Sequence, residues 1–210
     1  MRMDRLVPET RSIAAVLTCT AGLSAQGRVH LVTIDVAAFY SDDEINNDVA
    51  YPLVMNGFVT KFWDENVLAR TLSWLDAHGY QLVDLDASES RDITELIDRF
   101  AVELRFPEYF GHNLDALNDC LRDVAAGDYG VKTDAAGLVL VLRHFDVLSS
   151  QGAAVHVLDI IADRCRGAAL IGRRMMCLLQ SDDAQFDLPP LGGRRPEWNT
   201  EERLNGAREH

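Results

Sequence analysis

The sequence predicts an α/β fold: a small three-stranded parallel sheet with flanking helices, preceded by an α/β extension. Two observations carry this. Apolar patterns alternate between short runs and helical periodicity in the order strand, helix, helix, strand, helix, helix, strand from Tyr80 to Gln180. That order implies right-handed crossovers between parallel strands. In addition, Leu138 to Leu142 is apolar without alternation, as expected of a strand covered on both faces. Three segments follow: residues 1–79 as the N-terminal extension, either adding strands and a helix to the sheet edge or forming a small separate unit, 80–181 as the main domain, and 182–210 as a mobile tail rich in Pro, Gly, Arg and Glu.

In chain order, Ile13 to Leu23 is an apolar run after Arg2, Arg5 and Arg11. Asp4 and Glu9 dilute that basic start, so a buried helix or strand is expected rather than an export signal. His30 to Val36 is rich in β-branched residues and reads as a strand. The acidic segment Ser41 to Asp48 lacks the spacing, central Gly and terminal Glu of a calcium loop, so it reads as a solvated loop. Tyr51 to Phe62 is apolar, broken by Pro52 and Gly57, and reads as strand-like. Glu65 to His78 has apolar residues at helical spacing, with Gly79 as its stop.

Tyr80 to Leu85 is the first strand of the main domain. Asp92 and Glu95 form a capping-box-like start for a helix running to about Arg105. A loop over Ala125 to Ala136 leads to the strand at Leu138 to Leu142. A short helix over His144 to Leu148, an amphipathic helix over Ala153 to Arg166 and a last strand over Arg173 to Gln180 complete the order. The four cysteines, Cys19, Cys120, Cys165 and Cys177, are far apart. That spacing argues against a metal or redox motif and suits reduced thiols in a cytoplasmic protein, the last three of them, which sit among apolar residues, as small core side chains.

The chain has 210 residues, 48% of them hydrophobic, and a net charge of −13. Acidic groups outnumber basic ones in all three segments, which argues against nucleic-acid binding, because phosphate contacts need clustered Lys and Arg. No run approaches the length of a membrane span. An acidic surface suits steering toward a basic partner.

The stretch with the most chemistry is Phe106 to Asp123, FPEYFGHNLDALNDCLRD. Pro107 fixes one backbone angle, Gly111 permits a bend, and Tyr109 and Phe110 flank it. Asn113 is a good N-cap. Leu114, Leu117, Leu121 and Val124 form an apolar stripe, and Asp115, Asp119 and Asp123 fall on the opposite side. From spacing alone, such a row of acids is more often a solvated face than a binding one. His112 and Cys120 invite a nucleophile–base reading, but Cys120 falls nearer the leucine stripe and His112 in the loop, so no enzyme is expected. The other histidines are scattered and suggest no metal site.

This run resembles the signature of the barstar family, the small intracellular inhibitors of microbial ribonucleases: Pro-Glu-Tyr-aromatic-Gly-x-Asn-Leu-Asp-Ala-Leu, then Trp, then Asp. The matching residues are Pro107, Glu108, Tyr109, Phe110, Gly111, Asn113, Leu114, Asp115, Ala116, Leu117 and Asp119. The resemblance covers about half the chain and implies a barstar-like fold of three parallel strands with packed helices. It also implies an inhibitor that plugs the basic active site of a microbial ribonuclease or ribonuclease toxin, one-to-one, as an antitoxin or immunity protein without a cofactor. By position, Asp119 is the anchor carboxylate and Asp115 a second phosphate mimic. Tyr109 and Phe110 pack on the enzyme rim, Gly111 allows close backbone approach, and Asn113 caps the helix. The sequence departs from the pattern at Asn118, where the family has Trp. Arg122 adds a cation to the acidic face, and Phe110 lacks the hydroxyl of Tyr. These departures leave a second expectation open, a barstar-fold binding or regulatory module with a non-nuclease partner.

Overall fold

The computed structural model describes residue 38 and residues 49–208, all within one compact unit, Ala37–His210. The expected strand at His30 to Val36, the acidic loop at Ser41 to Asp48 and the apolar run at Ile13 to Leu23 lie outside the described residues.

The elements are α1 (Ala50–Met55), β1 (Val59–Phe62), α2 (Glu65–Ala77), β2 (Tyr80–Asp86), α3 (Ile93–Glu103), α4 (Leu114–Ala126), β3 (Gly137–Arg143), α5 (Gly152–Leu170), β4 (Met175–Gln180) and β5 (Glu197–Trp198). The sheet has five strands, not the three expected, in the order β2-β3-β4-β1-β5, and every pair is parallel. Strands β2, β3 and β4 are the three read from the sequence. The two additional strands come from segments either side of them.

Strand β3 explains the architecture. Leu138, Leu140 and Leu142 of β3 join the core beneath α3, α4 and α5, whereas Val139 and Val141 join a second core beneath α1 and α2. Side chains alternate across a strand, so an unbroken apolar run serves both layers at once. Leu117, Leu121 and Val124 of α4 are buried in the first core with Phe100, Phe145, Val157 and Ile161. Leu114, the first residue of the expected stripe, is only partly buried.

Two local readings need correction. Tyr51 to Phe62 is a helix followed by a strand rather than one strand-like run. Pro52 sits in the first turn of α1, where its missing N–H is not needed. Gly57, at φ +87°, then turns the chain into β1. Strand β1 lies beside β4, pairing Val59 with Cys177 and Phe62 with Gln180. The segment after β4, expected as a tail, instead runs across the outside of β1. It contributes β5, whose Glu197 and Trp198 pair with Thr60 and Lys61. Phe186, Leu188 and Leu191 are buried in the first core.

That segment is held by charged groups taken out of water. Lys61 is only 4% exposed; its Nζ donates to the Phe186 carbonyl at 2.9 Å and lies 3.9 Å from Asp187. Burial pulls its ammonium below the ordinary lysine value, against the opposing pull of Asp187. Glu202, 2% exposed, accepts from the backbone N–H groups of Trp63 and Asp64 at 3.2 and 2.6 Å. Arg208 donates to the carbonyls of Ala184 and Glu202. Trp198, unremarkable in the sequence, lies within cation–π distance of both Lys61 (4.6 Å) and Arg208 (4.5 Å). Such bonds are long-range and leave no periodic trace in the sequence.

Candidate protein-binding face

The loop before α4 is built on backbone conformations that most residues avoid. Arg105 closes α3 in the left-handed region at φ +53°, and the Phe106 N–H donates back to the Ala101 carbonyl at 2.8 Å. Phe106 then meets Phe110 edge-on, with ring centroids 5.0 Å apart, and Tyr129 at 6.3 Å. The Tyr129 hydroxyl donates to the Cys120 carbonyl, which fixes this aromatic group to the first helical turns of α4. Burial is the main influence raising the Tyr129 hydroxyl above the ordinary phenol value, followed by that hydrogen bond.

Phe110 is therefore a core residue, 6% exposed, and its side chain is not available to an enzyme rim as expected. Tyr109, by contrast, is 80% exposed. A ring without a hydroxyl suits the buried position, because a phenol there would need a hydrogen-bond partner.

The bend is also placed differently from expectation. Gly111 does not take a positive φ; His112 does, at +51°. Gly111 matters for space, since a Cβ there would lie 3.2 Å from the Asn113 side-chain nitrogen and 3.4 Å from the Ala116 Cβ. The His112 ring sits 4.9 Å from the Phe110 ring, and its Nδ1–H donates to Asp98 of α3 at 2.6 Å. Asp98, which no motif marks in the sequence, thus ties the loop to the neighbouring helix. Its only sequence signal is a place on the polar side of α3. His112 is directed to Asp98 and Cys120 is buried, so the two do not face each other as a dyad.

Asn113 caps α4: its Oδ1 accepts from the Ala116 N–H at 2.9 Å, and its Nδ2 donates to the Gly111 carbonyl at 3.1 Å. One side chain therefore starts the helix and holds the loop. Beyond it, Asp115 and Asp119 are exposed, while Asn118 and Asp123 are partly buried. Arg122 lies among them. Its Nη1 is 3.0 Å from Asp119 and its Nε 3.3 Å from Asp123, so one guanidinium bridges two carboxylates of the row. Asp115 has no ion pair among the described residues. The helix ends at Gly127, left-handed at φ +81°.

A second polar cluster lies at the C-terminal ends of β2, β3 and β4. His144, left-handed at φ +51°, donates its backbone N–H to Gln180 Oε1 at 2.7 Å. Its imidazole is 2.8 Å from Asp182 and 4.0 Å from Asp86. The hydrogen bond to Asp182 raises the imidazole above its ordinary value despite partial burial. Asp182 is held below the ordinary carboxylate range, first by its bond from Gln180 and then by His144. Asp86 is held low mainly by bonds from Ser88, which outweigh its partial burial. Asp84 and Arg143 form a two-pronged pair alongside, with the shortest distance 2.8 Å. His144 looks isolated in the sequence, because its carboxylates, Asp86 and Asp182, come from the ends of two other strands.

No helix among the described residues is long and apolar enough to cross a membrane. Residues 80–180 match the family model described as Barstar (barnase inhibitor). A search of curated proteins gives no match to the chain. The matched span runs from the first residue of β2 to the last of β4. It includes the loop and α4, and leaves α1, β1, α2 and β5 outside.

Proposed function

Residues 80–180 belong to the barstar family, and from that premise we propose that the chain is a stoichiometric inhibitor of a ribonuclease, acting as an antitoxin or immunity protein in the cytoplasm. The observation that carries the reading is the pairing of exposed Asp115 and Asp119 on α4 with exposed Tyr109, on a loop anchored to the core by Phe106 and Phe110. A ribonuclease must hold RNA phosphate and so lines its active site with cations. Carboxylates on a rigid helix can take the places of phosphates there and form charge-assisted hydrogen bonds. The first and last turns of this face are fixed before any partner arrives, which limits the ordering cost of binding. The net charge of −13 favours fast encounter with a basic enzyme.

In this reading Asp119 enters the catalytic pocket, Asp115 meets a flanking cation, and Tyr109 stacks on the rim. Gly111 and Asn113 set the backbone and the cap, and Asn118 and Arg122 adjoin the contact. Phe110 acts from beneath, as support. The complex is one-to-one and blocks the active site without chemistry of its own.

Calorimetric titration into small basic microbial ribonucleases, barnase among them, at low and moderate salt tests this, with RNA cleavage measured alongside. Saturable binding that weakens with salt and abolishes cleavage is expected. Binding to a nuclease that continues to cleave, or binding indifferent to Asp119→Ala, would overturn it. The bridging of Asp119 by Arg122 favours a second reading, a non-nuclease partner, which predicts no nuclease binding and capture of another protein through the same face.

A further inference from the structure

The guanidinium of Arg122 already occupies the place a partner's cation would take on Asp119. Taken alone, this pair stabilises the protein little: Arg122 and Asp119 are 58% and 64% exposed, and exposed ion pairs are weak because water competes for both charges. Its importance changes once a partner covers the face. Water then leaves, and Arg122 must be paired or be buried as a cation beside other cations. Asp123, 31% exposed, is the alternative acceptor on its own helix, but it is reached only through Nε at 3.3 Å. A partner whose surface is cationic throughout therefore meets a like charge at the point where it needs a carboxylate.

We propose that Arg122 is a selectivity residue of this face: it turns away partners that present only cations to Asp119, and suits a partner with a carboxylate beside its cations to receive the guanidinium. Resting on the inhibitor reading, this specifies the nuclease surface that fits. Discrimination by a repulsive element costs the free protein almost nothing, because the charge is solvated until a partner arrives.

The test uses the full chain and barnase as the probe. Wild type, Arg122→Gln, Asp119→Asn, Asp119→Asn with Arg122→Gln (read against Asp119→Asn alone), and Arg91→Gln as a control for general charge are titrated at low salt and at about 0.5 M salt, where exposed long-range charge is screened. Arg122→Gln is expected to bind barnase about tenfold or more tighter than wild type. The gain should persist in part at high salt, disappear when Asp119 is also changed, and not appear with Arg91→Gln. An equal gain from Arg91→Gln, a gain that vanishes with salt or survives loss of Asp119, or no gain at all would each overturn the proposal. Tighter binding by Arg122→Gln without inhibition of cleavage would leave the selectivity inference standing and defeat the inhibitor reading. Inhibition of a nuclease by wild type, with no gain from Arg122→Gln, would do the reverse.

Discussion

The protein places charge in two contrasting settings. On α4, Asp115, Asp119 and Arg122 stand in water with one loose bridge among them. At the β1 edge, Lys61, Glu202 and Arg208 are almost fully buried and bond chiefly to backbone groups. The same kinds of side chain thus serve different ends. A solvated charge is available to another molecule, whereas a charge spent on backbone carbonyls and N–H groups fixes the chain. The contrast predicts that variants of the first region change binding and leave stability alone, and that variants of the second do the opposite.

The largest expected effect is Asp119→Ala on complex formation. Removing one member of a charge pair that becomes buried is expected to weaken binding by about 3–5 kcal/mol. The urea midpoint of the free protein should move by no more than the equivalent of about 0.5 kcal/mol. Next is Glu202→Ala, which leaves the partly buried N–H groups of Trp63 and Asp64 without their acceptor. It should lower stability by about 2–3 kcal/mol in urea denaturation, with nuclease affinity unchanged. If Glu202→Ala weakened binding as much as it weakened stability, the two regions would not be separate.

Asn113→Ala sharpens the comparison, because Asn113 belongs to both roles. Loss of the cap should cost about 1 kcal/mol of stability, and release of Gly111 should also raise the dissociation rate of the complex, measured by surface plasmon resonance. The smallest effect is expected from His144→Asn, with a residue that tolerates the left-handed backbone. The His144 imidazole is raised in the folded state, so its contribution is fully present below the ordinary value of 6.5 and is lost as pH rises through the raised value. Asp182 and Asp86 are held low, so their contributions are lost only as pH falls below the ordinary 3.8 through the depressed values. The difference between wild type and His144→Asn should therefore be largest at mildly acidic pH and fade toward alkaline pH. A difference that grows above neutrality would reverse this assignment.

The division between legible and illegible parts follows the same contrast. The helices α2, α3, α4 and α5 and the strands β2, β3 and β4 announce themselves through periodicity and caps: Asp92, Asn113, Gly79 and Gly127 act as punctuation visible in the sequence. The strand β5 could not be read, since two residues carry no period and their partners are Thr60 and Lys61. Pro52 looked like a breaker and is a tolerated first-turn residue. At the candidate face, the acidic row and the cap were legible. The inward turn of Phe110 and the left-handed His112 were not, because they depend on Phe106 and Asp98 across the loop.

The position of β1 has a consequence for how the protein is made. Its neighbours in the sheet are β4 and β5, both of which follow it late in the chain. During synthesis β1 therefore leaves the ribosome before either partner exists. Val59 and Phe62, each 1% exposed in the finished fold, wait for their sheet partners while the intervening residues are added. The nascent chain carries a strand without its sheet partners for most of its elongation, and its sheet closes only when the last segments emerge.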